Sequence, residues 1–239
     1  MKNIIHLYMT DKCSTHCPFC LMASGPDNNN FLDISVLKRA LDTVLVPGSE
    51  NIARLIGGEP LVHLKFLEIL EMLAQNEQIS SIEIITNGIG IENLIENITS
   101  ISDRYKKPVL IRLSINYWLL SKNKLFSDEE KFKCFIRKYS SDYVKFSSNI
   151  AIRDGEEGLK QKWSTLMSSL KCWSSSVYLQ EYVPGTAKVC KGLRPRRKLM
   201  CPHYQTKEKF IMPDGKILNT AEDAAHWMWE RSKYYGNKE

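Results

Sequence analysis

The chain of 239 residues has no apolar run long enough to span a bilayer, which excludes a membrane-spanning helix. Its opening, "MKNIIHLYMTDKC", is too short and too early broken by Asp11 and Lys12 to serve as a secretory signal. It also lacks internal repeats, and "DNNN" at Asp27 to Asn30 is its only low-complexity stretch. Charged residues at 25% and hydrophobic ones at 43% exclude collagen-like, coiled-coil and disordered chains. The net charge of +6 is partly gathered in "RPRRK" at Arg194 to Lys198. A run of this kind is ordinarily a solvated face, so no nucleic-acid partner is expected. A cytoplasmic location is expected, where thiols stay reduced. The seven cysteines, an odd number, then point to metal binding, catalysis or burial before disulfides.

What is present is an alternation of element types. Apolar, β-branched runs occur at "NIIHLYMT", "IARLIG", "SIEIIT", "VLIRLSI", "YVKFSSNIAI" and "SVYLQEYV", each bounded by turn residues. Helical spacing fills the gaps at "ISVLKRALDTVL", "LKFLEILEMLAQN", "IENLIENITSI", "SDEEKFKCFIRKY" and "GLKQKWSTLMSSLKC". Asp33 is placed to cap the first helix and Ser127 to open the fourth, ahead of Glu129 and Glu130. About six strand-helix units imply parallel strands joined by crossovers. The expected fold is therefore α/β, a partial (β/α)6 TIM-like barrel over residues 1–187. Residues 188–239 change character: they are rich in Pro, Gly and basic residues, then read as a hairpin around Asp214-Gly215 and a last helix, "AEDAAHWMWERSKYYG". They form a small hairpin-plus-helix extension.

Three cysteines stand together in "CSTHCPFC", Cys13, Cys17 and Cys20, with no fourth beside them. Structural zinc takes four ligands, usually from two separated CxxC pairs. Here the next cysteine is Cys134, on an expected helix, and His16 lies between two of the cysteines in a tight loop. A zinc-binding interaction module is the alternative from outside enzymology. A cubane of four irons and four sulfides suits the triplet better, since three thiolates leave one iron open for a substrate or cofactor.

With these residues the chain resembles the radical S-adenosylmethionine (SAM) superfamily. Cys13, Cys17 and Cys20 match its CxxxCxxC loop, with Phe19 as the aromatic residue before the third cysteine. "GGEP" at Gly57 to Pro60 matches its second motif, and "ITNG" at Ile85 to Gly88 the end of its third. The resemblance runs over residues 3 to 187 and implies a [4Fe–4S] cluster and S-adenosyl-L-methionine as cofactors. It also implies reductive cleavage of SAM to a 5′-deoxyadenosyl radical, which abstracts hydrogen from a substrate. The cysteines would hold the cluster. Gly57 and Gly58 would let backbone approach the methionine amino group, with Glu59 beside it. Thr86 and Asn87 belong to the third motif, and Phe19 would lie by the adenine. Ser114 and Asn116 sit where ribose contacts are common, although an acidic residue is more usual in place of Asn116. Arg153 would pair with the SAM carboxylate. Because the cysteine loop follows a different strand, a valine at Gly58 is expected to weaken SAM binding while sparing cluster and fold.

The tail resembles SPASM and twitch extensions, but Asn219 stands where a cysteine is common. Cys172, Cys190 and Cys201 leave a four-thiolate auxiliary cluster incomplete without Cys134, and the extension is read as degenerate. Candidates for facing a substrate are Tyr117, Lys145, Ser147, Tyr178, Gln180 and Glu181. Glu181 is chosen as the catalytic candidate, because a carboxylate on a central strand is costly to bury without a partner. The expected substrate is a small molecule or peptide in natural-product or cofactor biosynthesis, with flavodoxin or ferredoxin as electron donor. The first strand begins almost at Met1, which leaves no room for a preceding leader-binding domain and counts against a ribosomal peptide. A glycyl-radical activase is a second enzymatic reading.

Overall fold

The computed structural model describes residues 1–17, 20, 24–152, 155–178 and 206–220, together with 223, 224 and 227. Strand β1 (Lys2–Tyr8) leads through the cysteine loop to α1 (Ile34–Val44), followed by β2 (Glu50–Ile56), α2 (Phe66–Gln75), β3 (Ile79–Thr86), α3 (Ile95–Tyr105) and β4 (Val109–Ile115). Two short helices, α4 (Tyr117–Lys122) and α5 (Lys124–Ser127), precede α6 (Glu129–Tyr139). Then come β5 (Val144–Ile152), α7 (Glu157–Ser169), β6 (Trp173–Tyr178), β7 (Thr206–Ile211) and β8 (Ile217–Leu218). The strands form one open sheet in the order β6-β5-β4-β3-β2-β1-β7-β8. Every neighbouring pair from β6 to β1 is parallel. This is the expected partial barrel.

Parallel strands bury both faces, and alternation along each one separates them. Ile5, Leu7, Leu55, Ile84, Ile111 and Leu113 point to the helices and join the main core. Residues one position off, such as His6, Arg54, Glu83 and Arg112, share the opposite, concave face. Among the described residues no helix is long and apolar enough to cross a membrane.

Asp33 caps α1 as expected, accepting from the backbone N–H groups of Ser35 and Val36. Ser127 does not open α6: it ends α5, and Asp128 is the cap, accepting from Lys131 N at 2.9 Å. α4 and α5 were not foreseen, each being a short helix capped by an asparagine, Asn116 and Asn123. β6 begins at Trp173, three residues before the apolar run that marked it, because the serines after Trp173 break the apolar signal. The hairpin of the tail is present, with Phe210 opposite Leu218. Its first strand, β7, pairs in parallel with β1 from Lys2↔Thr206 to Leu7↔Ile211, so it extends the barrel sheet rather than packing on it. A second small cluster of Tyr8, Phe210, Met212, Ala224 and Trp227 fastens this edge.

Candidate active site

The three motifs follow the C-terminal ends of β1, β2 and β3, which are neighbours in the sheet. The cysteine loop is braced on two sides. On one, Cys13 N donates to Gly25 O at 3.1 Å and Asp11 N to Asn30 O at 3.2 Å, while the Asp11 carboxylate accepts from Asn30 N at 2.8 Å and also from the Asn30 side-chain amide. On the other side lies the glycine pair. Gly58 N donates to Thr10 O at 2.7 Å and Glu59 N to Lys12 O at 2.9 Å.

These contacts explain both glycines. Gly57 has φ of +133°, a backbone region that side chains rarely adopt, and a Cβ on it would run into the Thr10 carbonyl. A Cβ on Gly58 would collide with the carbonyl of Lys12. The expectation that Gly58 is independent of the cysteine loop is thus corrected, because the ends of β1 and β2 are packed backbone to backbone.

Glu59 is fully buried. Its Oε1 accepts from Thr86 Oγ1 at 2.7 Å and Leu61 N at 3.1 Å, and its Oε2 accepts from Asn87 N at 2.7 Å. Burial pushes the carboxyl up to about 7 against the pull of these three donors. Asn87 then turns its amide to the cysteine loop, donating to Ser14 Oγ at 3.1 Å and toward Cys13 Sγ at 3.6 Å. One carboxylate therefore ties the second motif to the third, and one amide ties the third to the first.

Cys13 is buried, whereas Cys17 and Cys20 are half-buried. Thr15 Oγ1 lies 3.7 Å from Cys13 Sγ and 3.5 Å from Cys17 Sγ. Burial pushes Cys13 up to about 11, with Glu59 and then Cys20 adding to the rise, and Cys17 up to about 12, with Cys20 and Cys13 adding to it. Among the described residues no three His, Cys, Asp or Glu side chains close around a single metal ion. The donor set suits an iron–sulfur cluster: soft sulfur ligands spread along a loop, with a hydroxyl and an amide placed beside the sulfurs. Thr15 went unnoticed in the sequence, although its place between two cysteines was the available signal.

The remaining candidates divide. Ser114 is half-buried near the end of β4, on the concave face. Asn116 is buried, and its Oδ1 is used as the cap of α4, accepting from Leu119 N at 2.9 Å. Ser147 is buried beside Arg112, while Lys145 is exposed near the start of β5. Tyr117 begins α4. Tyr178 ends β6, and nothing is described of its side chain. Phe19, Arg153, Gln180 and Glu181 lie outside the described residues, as do Cys190 and Cys201. Cys172 is half-buried, donating to Leu170 O at 3.5 Å, and Cys134 is exposed on α6, outside the barrel.

The Radical SAM superfamily model matches residues 7–116, a span that holds all three motifs and runs from the end of β1 through β4. Over that span the chain matches the radical SAM superfamily. Enzymes of this superfamily use a [4Fe–4S] cluster and SAM. Solved structures share the fold seen here. Streptococcus suis SuiB bound to S-adenosylmethionine matches with a TM-score of 0.62 at 15% identity, over 91% of this chain and 60% of that one. SuiB bound to precursor peptide SuiA matches with a TM-score of 0.65 at 14% identity, over 98% and 66%. Native anSMEcpe with bound AdoMet and the Cp18Cys peptide matches with a TM-score of 0.55 at 17% identity, over 75% and 51%. The chain thus spans between half and two thirds of the length of those proteins.

Proposed function

We propose that this radical SAM protein holds a [4Fe–4S] cluster on Cys13, Cys17 and Cys20, binds SAM beside it, and abstracts hydrogen from a small-molecule or peptide substrate. The observation that carries the reading is the bonded path from Glu59 through Asn87 to Cys13. It links all three motifs at one end of the sheet, where a barrel of this kind places its chemistry. When bound, the cluster supplies the electron that cleaves the sulfonium bond of SAM.

The chain's own residues bind, orient and exclude water. Gly57 and Gly58 leave backbone, with no side chain, at the place given to the methionine end, and Glu59 fixes that turn from beneath rather than meeting SAM directly. Thr86 and Asn87 hold the end of β3, and Ser114 faces the concave side where the ribose is assigned. Asn116 has spent its oxygen on α4, so any ribose contact falls to its amide. Phe19, Arg153 and Glu181 keep the roles proposed for them: adenine contact, SAM carboxylate partner and catalytic group. The location in the cytoplasm and a flavodoxin or ferredoxin donor belong to the same proposal. A peptide substrate gains support from the SuiA and Cp18Cys peptides bound in two of the similar structures, and natural-product or cofactor biosynthesis is the setting proposed.

The test is anaerobic reconstitution with iron and sulfide, followed by dithionite and SAM, with 5′-deoxyadenosine measured by mass spectrometry. Production by the native chain and its abolition in Cys17→Ala are expected, because two thiolates are too few to hold the cubane. Undiminished product in the variant would sink the cluster assignment.

A further inference from the structure

At one level of the sheet, Arg112, Ser147 and Trp173 are register partners across β4, β5 and β6. All three face the concave side. The Arg112 guanidinium reaches across Ser147 to lie 5.4 Å from the centre of the Trp173 ring. That cation–π contact draws the guanidinium toward the ring. On its other side the nearest carboxylate is Glu83, but this group is already engaged: Arg54 Nε meets Glu83 Oε2 at 2.6 Å, whereas Arg112 Nη2 stands 3.7 Å from the same oxygen. Two arginines thus share one carboxylate. His6, the next side chain along from Arg54, is held neutral by burial and by Arg54, its value pushed down to about 3. Glu208 lies on β7, 3.8 Å from His6, and Lys145 adds a further exposed positive charge two residues below Ser147.

The donors here lack acceptors. Arg112 Nε is buried without a hydrogen-bond partner, and so is the hydroxyl of Ser147, a residue only 1% exposed. A buried polar group left unpaired is costly, and such groups are few in a folded protein. A guanidinium Nε–H with an adjacent hydroxyl is a donor pair that a carboxylate can accept from, one donor to each oxygen. The single unmatched charge suits a monoanion better than a phosphate dianion. Arg112 lies two residues deeper on the same face than Ser114, a step of about 7 Å along the strand.

We infer that Arg112 and Ser147 form the binding site for a carboxylate of the substrate, set below the place of SAM in the concave face of the sheet. This rests on the radical SAM reading for the position of SAM, yet the site itself is testable without it. The substrate is then a carboxylic acid, held by its charged end so that carbons a few bonds away lie at the strand ends. Trp173, 60% exposed, forms the open side of the site.

The probe is acetate, titrated at constant ionic strength into the reconstituted full chain with and without SAM. The readout is the ¹⁵N–¹H resonance of the Arg112 Nε–H group, identified by its absence in Arg112→Lys. Saturable movement of that resonance is expected, with affinity reduced at least tenfold in Ser147→Ala. That variant removes a hydroxyl which has no partner, so its folding should be unharmed and its binding result readable. A short N-acetylated peptide acid, run against its amide, separates a small acid from a peptide terminus as the source of the carboxylate. A resonance unmoved by acetate would leave the arginine a structural ion-pair member and overturn the inference. Competitive loss of acetate binding on adding SAM would assign the site to the carboxylate of SAM and overturn it too, as would a preference for inorganic phosphate. Absence of 5′-deoxyadenosine with acetate binding intact would count against the radical SAM reading alone.

Discussion

Glu59 and Asn87, at the ends of neighbouring strands, are joined by a 2.7 Å hydrogen bond in which the Asn87 backbone N–H donates to Oε2. The same carboxylate takes two further donors, and all of this is fully buried. In Glu59→Gln an amide N–H would face one of those donors. We expect a loss of about 1–3 kcal/mol in urea unfolding at pH 8, together with weaker retention of iron, since Asn87 carries the strain on to Cys13. An unchanged midpoint would show that the three bonds contribute nothing net.

The same residue gives stability a pH dependence. Its folded value, raised to about 7 by burial, lies above that of the unfolded chain. The folded state therefore binds more protons between the two values, and stability present below about pH 4.5 is lost as pH rises through about 7. Unfolding of the native chain and of Glu59→Gln across this window should show the native chain losing ground to the variant as pH rises. A parallel pair of curves would place the carboxyl at an ordinary value.

In Gly58→Ala a single methyl group is directed at the Lys12 carbonyl. The cysteine loop must shift to admit it, so iron content after reconstitution and SAM affinity should fall together. Normal iron with SAM binding alone reduced would restore the independence that the motif spacing had suggested.

Full reconstitution should give about four irons per chain, from one cubane. Cys134→Ser, on the exposed face of α6, should leave this unchanged. About eight irons, halved by replacing Cys190 and Cys201 together, would instead show an auxiliary cluster in the tail.

Strands β1 to β5 were legible because their β-branched runs were bounded by Gly, Pro, Asn or Ser. β6 was read late since Ser174 to Ser176 carry no apolar signal, and α4 and α5 were missed because Asn123 interrupts the helical spacing of a short segment. The cysteines and glycines were visible as residue types at known spacing. What the glycines touch was not visible, because a close approach between two backbones leaves no trace in either segment alone. Asn116 had two readings, and helix capping, a local interaction available from its own neighbours, took its oxygen.

The parallel pairing of β7 with β1 joins opposite ends of the chain. Contacts so distant in sequence close late, after a large loop entropy has been overcome. While the protein is being made, the strand that leads into the cysteine loop keeps one naked edge until residues 206–211 have left the ribosome. An open, apolar parallel edge invites pairing with other chains. The order of events in the cell then matters as much as the finished geometry: iron delivered before β7 docks would meet a cysteine loop hung from a strand paired on one side only.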